Sequence, residues 1–216
     1  MNFYQPSEDS YFLAETIKNY ILNLKNKKSQ SQQAVGYFLS LKLGTTNRSK
    51  LWGIKPSLSN KNANISVLDM GTGSGIQSKN LIEIGIKKQN ILAVDINEKA
   101  LKQAKKLKIK TIKSDLFENV NNKFSLIIFN PPYLPENKYD KLSDTTGGKK
   151  GDETIIRFIK KLKSHLAKDG ICFLLTSSLT PEKTWKAEAE KHNLSVKKTA
   201  EKNLFFEKLY VWKIRK

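Results

Sequence analysis

The sequence predicts an α/β fold, a mostly parallel sheet with helices on both faces that ends in an antiparallel hairpin. Three observations carry that expectation. Strand-like apolar runs alternate with helical segments from Ile65 to His192, the pattern of a parallel sheet built from strand–helix units. Two of the runs, Leu126-Ile127-Ile128-Phe129 and Cys172-Phe173-Leu174-Leu175, are uninterrupted, as suits strands covered on both faces. The last two β segments follow one another with no helix between them, which calls for a hairpin.

Taken in order, residues 7–24 read as an amphipathic helix. Tyr11, Phe12, Ala14, Ile17, Ile21 and Leu22 recur near helical spacing. Ser7 can cap it, and Glu8 and Asp9 sit in its first turn. From about 26 to 64 the pattern dissolves into Lys, Asn, Ser and Gln, broken by short apolar runs. This stretch reads as an insertion, either flexible or a small subdomain, within one domain spanning 1–216. Strands are then expected at 65–70, 91–94, 109–112, 125–129 and 171–176, helices at 76–84, 98–107, 153–166 and 181–192, and final β segments at 195–199 and 205–214.

A chain of 216 residues can bury a full α/β core as one domain. No stretch approaches the ~20 apolar residues of a membrane span, and the N-terminus lacks the basic start and apolar run of a secretory signal. A cytoplasmic protein without membrane attachment is expected. The single cysteine, Cys172, excludes an internal disulfide and a cysteine-built zinc site. It is read as a buried strand residue. His165 and His192 lie on Lys-rich helices and are read as solvated surface. No metal site is expected. The net charge of +19 favours contact with RNA or a ribonucleoprotein through a basic surface, although a Lys-, Asn- and Ile-rich composition also fits genome bias.

The chemistry concentrates where strands end, since ligands of such sheets bind beyond the carboxyl ends of the strands. The first strand runs into Asp69-Met70-Gly71-Thr72-Gly73-Ser74-Gly75. The spacing of Gly71, Gly73 and Gly75 is Gly-x-Gly-x-Gly and not that of a dinucleotide site. An acid before the glycines suits a ligand carrying an ammonium group better than one carrying a pyrophosphate. Asp95 ends the second strand, where a carboxylate can accept both ribose hydroxyls. Asp115, before Leu116, follows the third strand and can accept a bond from an adenine amino group. This order of elements looks like the class I methyltransferase fold, with S-adenosylmethionine as cofactor.

After the fourth strand comes Asn130-Pro131-Pro132-Tyr133. The prolines fix φ and remove two donors, and each residue before a proline is held extended. A rigid loop results. The Asn130 side chain and the Pro131 carbonyl can accept both hydrogens of an NH2 group and aim its lone pair at a methyl donor, while Tyr133 can stack on a planar amide or base. Positioning and stabilisation of developing charge are the help that a poorly nucleophilic nitrogen needs.

The sequence here resembles the HemK/PrmC group of glutamine methyltransferases, which modify the Gly-Gly-Gln loop of class I translation release factors. Tyr4-Gln5-Pro6-Ser7-Glu8-Asp9-Ser10 and Gly147-Gly148-Lys149-Lys150-Gly151-Asp152-Glu153 are similar to its archaeal and eukaryotic branch, and the resemblance covers residues 1–24 and 65–216. It implies that Ser10, Asp69, Gly71, Asp95, Asp115, Leu116 and Asn130 contact the cofactor and that Asn130 to Tyr133 hold the glutamine amide. It also implies a small zinc-finger activator subunit covering an apolar sheet edge, a geometry that the 26–64 insertion complicates. Asn-Pro-Pro-Tyr is shared with adenine N6-methyltransferases of RNA or DNA, which is the alternative reading. Protein-lysine methylation and a non-catalytic cofactor-binding subunit are further alternatives.

Overall fold

The computed structural model describes residues 6–41, 65–135 and 147–216, with the backbone alone for 27–41. Helix α1 (Glu8–Leu41) leads into β1 (Val67–Met70), α2 (Ile76–Glu83), β2 (Ile91–Asp95), α3 (Glu98–Lys105), β3 (Lys110–Lys113) and β4 (Phe124–Phe129). Then follow α4 (Glu153–His165), β5 (Leu166–Ser177), α5 (Glu182–Lys191), β6 (Ser195–Asn203) and β7 (Lys208–Arg215). A short 3-10 turn, Lys88–Asn90, introduces β2.

The seven strands form one sheet in the order β3-β2-β1-β4-β5-β7-β6. From β3 to β5 all neighbours are parallel, and β7 joins β5 and β6 antiparallel. The order reverses between β1 and β4, the place where a crevice opens in such sheets. Register sets that crevice: Met70 lies beside both Val94 and Phe129, so the chain leaves β1 and β4 side by side, at Gly71 and Asn130.

Local chemistry accounts for the helices. Asn97 caps α3 by accepting from the Lys99 N–H at 2.9 Å, a cap of about 1 kcal/mol. Glu98 opens α3, and Lys102 and Lys105 close it, matching the helix dipole. Helix α4 buries Ile155, Phe158, Ile159 and Leu162, an i, i+3, i+4, i+7 stripe. The stripe packs on the sheet, where Phe158 meets Phe129 with ring centroids 4.5 Å apart. The core strands β1, β4 and β5 are buried over most of their length, and Cys172 lies inside β5, its thiol pKa pushed up by burial.

Three expectations need correction. Helix α1 continues to Leu41 rather than ending near 24. Apolar periodicity fades beyond Leu24, but the Lys-, Gln- and Ser-rich stretch has no proline, so the backbone ladder continues. The rest of the expected insertion, 42–64, lies outside the described residues. Strand β5 begins at Leu166, directly after α4, through a register shift against β4 between Phe124 and Leu126. His165 is not solvated surface: it is half-buried and stacks on Phe117 at 4.1 Å. Its Nε2 lies 2.8 Å from the Val120 carbonyl, an acceptor that an imidazole N–H at the end of α4 can satisfy. His192 is partly exposed beside Glu188 at 3.2 Å.

Among the described residues no helix is long and apolar enough to cross a membrane, and no cluster of His, Cys, Asp or Glu suits a metal ion.

Candidate active site

The glycine turn is shaped by backbone geometry that other residues resist. Gly71, Gly73 and Gly75 all have positive φ, at 60°, 52° and 81°, a region that is costly for L-residues with a Cβ. Gly71 has a second reason: a Cβ there would meet the Phe129 ring at 3.3 Å. The turn is fastened to β2 by the Thr72 N–H donating to the Val94 carbonyl at 2.9 Å.

Asp69, only 1% exposed, sits beneath this turn. Its Oδ2 accepts from Thr72 Oγ1 at 2.8 Å, Ser78 N at 3.1 Å and Ser78 Oγ at 2.5 Å. Burial pushes its pKa up to about 6, against the lowering effect of those hydrogen bonds and with some help from Asp95. A carboxyl so placed gains from a cation, because opposite charge in a buried site restores the ionised form. At the end of β2, Asp95 is gripped from two sides: its Oδ2 accepts from Gly73 N at 2.9 Å and its Oδ1 from Asn97 N at 2.8 Å. Burial raises its pKa, and these backbone donors counter it. The next side chain, Ile96, is 64% exposed, an apolar surface beside a carboxylate that sequence reasoning passed over.

Beyond β3, Leu116 adopts a left-handed conformation with φ 47°, a strain that concentrates at functional sites. Asp115 differs from the simple expectation of an acceptor facing a ligand, because its Oδ2 also takes a salt bridge from Arg157 of α4 at 2.7 Å. Arg157 lies 42 residues away in sequence, and no local pattern announces the pair.

The fourth strand delivers Asn130 to the start of α1. Asn130 Nδ2 donates to Asp9 Oδ2 at 3.2 Å and to Ser10 Oγ at 3.3 Å. Its Oδ1 is buried and has no hydrogen-bond partner in the structure, and an orphaned buried acceptor costs about 1–3 kcal/mol. Tyr133 is buried, and its hydroxyl donates to the same Asp9 oxygen at 3.3 Å. Asp9 is thus the anchor of the acceptor loop. Its own Oδ1 accepts from Ser10 N at 2.5 Å and Ser7 Oγ at 2.6 Å. Sequence reasoning treated Asp9 only as a helix-start acid; its place in the Ser7-Glu8-Asp9-Ser10 motif was the available signal. Gln77 of α2 secures this corner by donating to the Ser10 carbonyl at 2.8 Å.

The second glycine motif floors the acceptor loop. Gly147 N donates to the Leu134 carbonyl at 2.9 Å. A Cβ on Gly147 would lie 2.6 Å from the Pro132 carbonyl oxygen, and one on Gly151 would lie 2.7 Å from that of Tyr133. Thr180, after β5, adds a bond from its Oγ1 to the Tyr133 carbonyl at 3.2 Å, a contact with no signal in the sequence. Pro131 is buried and Pro132 half-buried.

The structure therefore brings Ser10, Asp69, Gly71, Gly73, Asp95, Asn130, Pro131 and Tyr133 to the carboxyl ends of adjacent strands, with Asp115 and Leu116 following β3 on the same side. A buried carboxyl with a raised pKa and a buried, unpaired amide oxygen thus lie at the ends of β1 and β4, where the strand order reverses.

Comparison with known proteins places the chain in a family. Residues 56–205 match the family described as the methyltransferase small domain. A Methanocaldococcus jannaschii protein, provisionally named a protein N5-glutamine methyltransferase, is 40% identical over 159 residues, covering 68% of this chain and 80% of that protein. The release factor glutamine methyltransferase of Buchnera aphidicola subsp. Schizaphis graminum is 39% identical over 89 residues, covering 38% of this chain and 32% of that enzyme. The chain thus matches only about a third of that bacterial enzyme's length. Among solved structures, the E. cuniculi Mtq2-Trm112 complex, described as responsible for methylating the eRF1 translation termination factor, superposes with a TM-score of 0.67 at 21% identity, covering 100% of this chain and 99% of that one. That similarity establishes a shared fold. The chain belongs to the methyltransferase small-domain family and, within it, to the HemK/PrmC-type protein N5-glutamine methyltransferases.

Proposed function

We propose that this chain methylates the side-chain amide of the glutamine in the Gly-Gly-Gln loop of a class I translation release factor, with S-adenosylmethionine as methyl donor. The observation that carries the reading is Asn130 Oδ1, a buried acceptor without a partner on the loop that follows β4. An incoming primary amide supplies the missing hydrogen.

The residues present fit the cofactor. Asp69 makes no ion pair among the described residues, and its raised pKa suits an arriving ammonium group. Asp95, with Ile96 beside it, suits a ribose and the apolar face of a base. Gly71 and Gly73 allow close approach to the backbone, and Ser10, Asp115, Leu116 and Asn130 complete the proposed contacts. The cofactor supplies an electrophilic methyl group on a positively charged sulfur.

The protein's own contribution is orientation and charge. Asp9 fixes the Asn130 amide by taking its Nδ2 hydrogen, which leaves Oδ1 as the acceptor facing the substrate. Asn130 Oδ1 and the Pro131 carbonyl hold the two amide hydrogens and turn the nitrogen lone pair into the crevice. The same oxygens stabilise positive charge as it develops on that nitrogen. Tyr133, with its hydroxyl held by Asp9, gives the planar amide a wall to lie against. Burial of the loop excludes water, which strengthens each of these interactions.

A small zinc-finger activator belongs to the same proposal, by analogy with the two-protein complex named above. The described sheet edges are β3, with exposed Lys110 and Lys113, and β6, with exposed Lys197 and Lys198, so any such subunit meets lysine stems as well as apolar side chains. Adenine N6-methylation remains the competing reading, because Asn130 Oδ1 would serve an exocyclic amino group equally well. Incubating the enzyme with cofactor and a release factor, then mapping the modified residue by mass spectrometry, tests the proposal. Methylation confined to the Gly-Gly-Gln glutamine is expected, and an unmodified release factor contradicts it.

A further inference from the structure

The two most exposed large apolar residues of the described chain sit side by side at one tip. Phe205 and Phe206 are 92% and 87% exposed at the turn between β6 and β7, and Leu179, 49% exposed, lies in the neighbouring turn after β5. The two phenylalanine rings meet edge to face with centroids 4.6 Å apart. Both turns follow the carboxyl end of β5, on the side of the sheet that carries the acceptor loop.

This tip is rigidly tied to that loop. Leu204 N donates to the Glu207 carbonyl at 2.8 Å, and Ser178 N donates to the Lys208 carbonyl at 2.7 Å. Lys208 N donates to Ser178 Oγ at 3.0 Å, and Ser177 Oγ donates to the Glu207 carboxylate. Thr180 completes the path, with its Oγ1 accepting from Ser177 N at 3.3 Å and donating to the Tyr133 carbonyl at 3.2 Å. A concavity of about 500 Å³ beside the tip is lined by Glu8, Asn203, Leu204, Phe205, Phe206 and Glu207. Glu8 immediately precedes Asp9, the anchor of Asn130 and Tyr133.

We infer that the Phe205–Phe206 tip is the docking point for the body of the protein that presents the acceptor glutamine, an inference that rests on the proposed function. Exposed apolar patches mark interaction sites, and aromatic anchors on a rigid support dominate binding because little freedom is lost on association. Charge selects the class of partner. In a chain of net charge +19, no lysine or arginine lines the concavity. Glu8 pairs with Lys202 at 3.2 Å and Glu207 adds a carboxylate, so the site offers phosphate no unpaired cation. The occupant is a folded protein with an apolar surface flanked by basic side chains beside its acceptor loop. A small glycine-flanked loop enters the crevice while the body of the partner rests on the tip.

The test uses F205S/F206S, substitutions at almost fully exposed positions outside the proposed catalytic and cofactor residues. Thermal unfolding and calorimetric cofactor affinity check that the fold is intact. Steady-state methylation is measured with intact release factor and with a short Gly-Gly-Gln peptide. For the intact factor, kcat/KM is expected to fall about tenfold or more through KM, with peptide kinetics and cofactor affinity unchanged. F205L/F206L is expected to restore most of the loss. Equal kcat/KM on the intact factor overturns the inference. So does a variant whose only change is loss of self-association in sedimentation, or loss of RNA oligomer binding, since either places a different occupant on the tip. If the unaltered enzyme methylates neither factor nor peptide, the proposed function fails and takes the docking tip with it. Methylation that both variants leave intact removes the docking tip alone.

Discussion

At position 130 the account depends on which atom of one amide is occupied. Asp9 and Ser10 take the Nδ2 side, and Oδ1 is left for the acceptor. Asn130→Ala is expected to lower kcat on the order of a hundredfold or more, the scale of losing one oriented transition-state contact, with unchanged thermal unfolding. Wild-type turnover in that variant contradicts the assigned role. At Asp69 the prediction concerns pH. With a pKa raised to about 6 by burial, its carboxyl is protonated below that value and cannot meet the cofactor's ammonium. Cofactor affinity should therefore hold above about pH 6 and fall by about tenfold per unit below it, as expected for binding linked to one proton. Calorimetry across that range reads the slope, and Asp69→Asn should be weaker and flat. An affinity indifferent to pH in the unaltered enzyme would separate Asp69 from the ammonium. The two positions differ in legibility. Asn130 was visible because prolines flank it and a fully apolar strand precedes it. Asp9's role was hidden because its partners, Asn130 and Tyr133, lie more than a hundred residues away.

At the scale of elements, the acceptor loop keeps its shape because glycine backbones lie against it. Gly147→Ala would place a methyl group 2.6 Å from the Pro132 carbonyl and 2.4 Å from that of Gly151, and the loop must shift. A displacement of about 1 Å in a catalytic group can cost ~100-fold in rate, so kcat should fall on that order with cofactor affinity retained, because the Asp69–Asp95 half of the crevice does not touch Gly147. Equal loss of both would mean that the two halves are not independent. Element order, the mostly parallel sense of the sheet and the C-terminal hairpin were legible from apolar runs and from the switch between periods of about two and 3.6; the strand order was not. Polar elements were the exception. Residues 25–33 of α1 and the end of β6 at Asn203 carry no apolar stripe, and backbone hydrogen bonding extends both elements beyond the point where the pattern stops. His165 was misread for a related reason: a Lys-rich helix end looks solvated until Phe117 and the Val120 carbonyl are placed beneath it.

Across the whole molecule, we propose a single methyltransferase domain to which residues 42–64 are dispensable. Every proposed cofactor and acceptor contact lies outside that segment. Replacing it with a Gly-Ser linker of equal length should preserve cofactor binding and methyl transfer, and loss of folding would place the segment in the core. The central claim is the identity of the acceptor, and two assays run side by side under one buffer test it most directly. One follows methyl transfer to a release factor and to its variant with the Gly-Gly-Gln glutamine changed to asparagine; the other follows transfer to adenine in RNA and DNA oligomers. The account predicts methylation of the glutamine, its loss in the asparagine variant, whose amide is withdrawn by roughly 1.5 Å, and no label in the oligomers. Labelled adenine, with activity falling steeply as salt rises and an unmodified release factor, would contradict it.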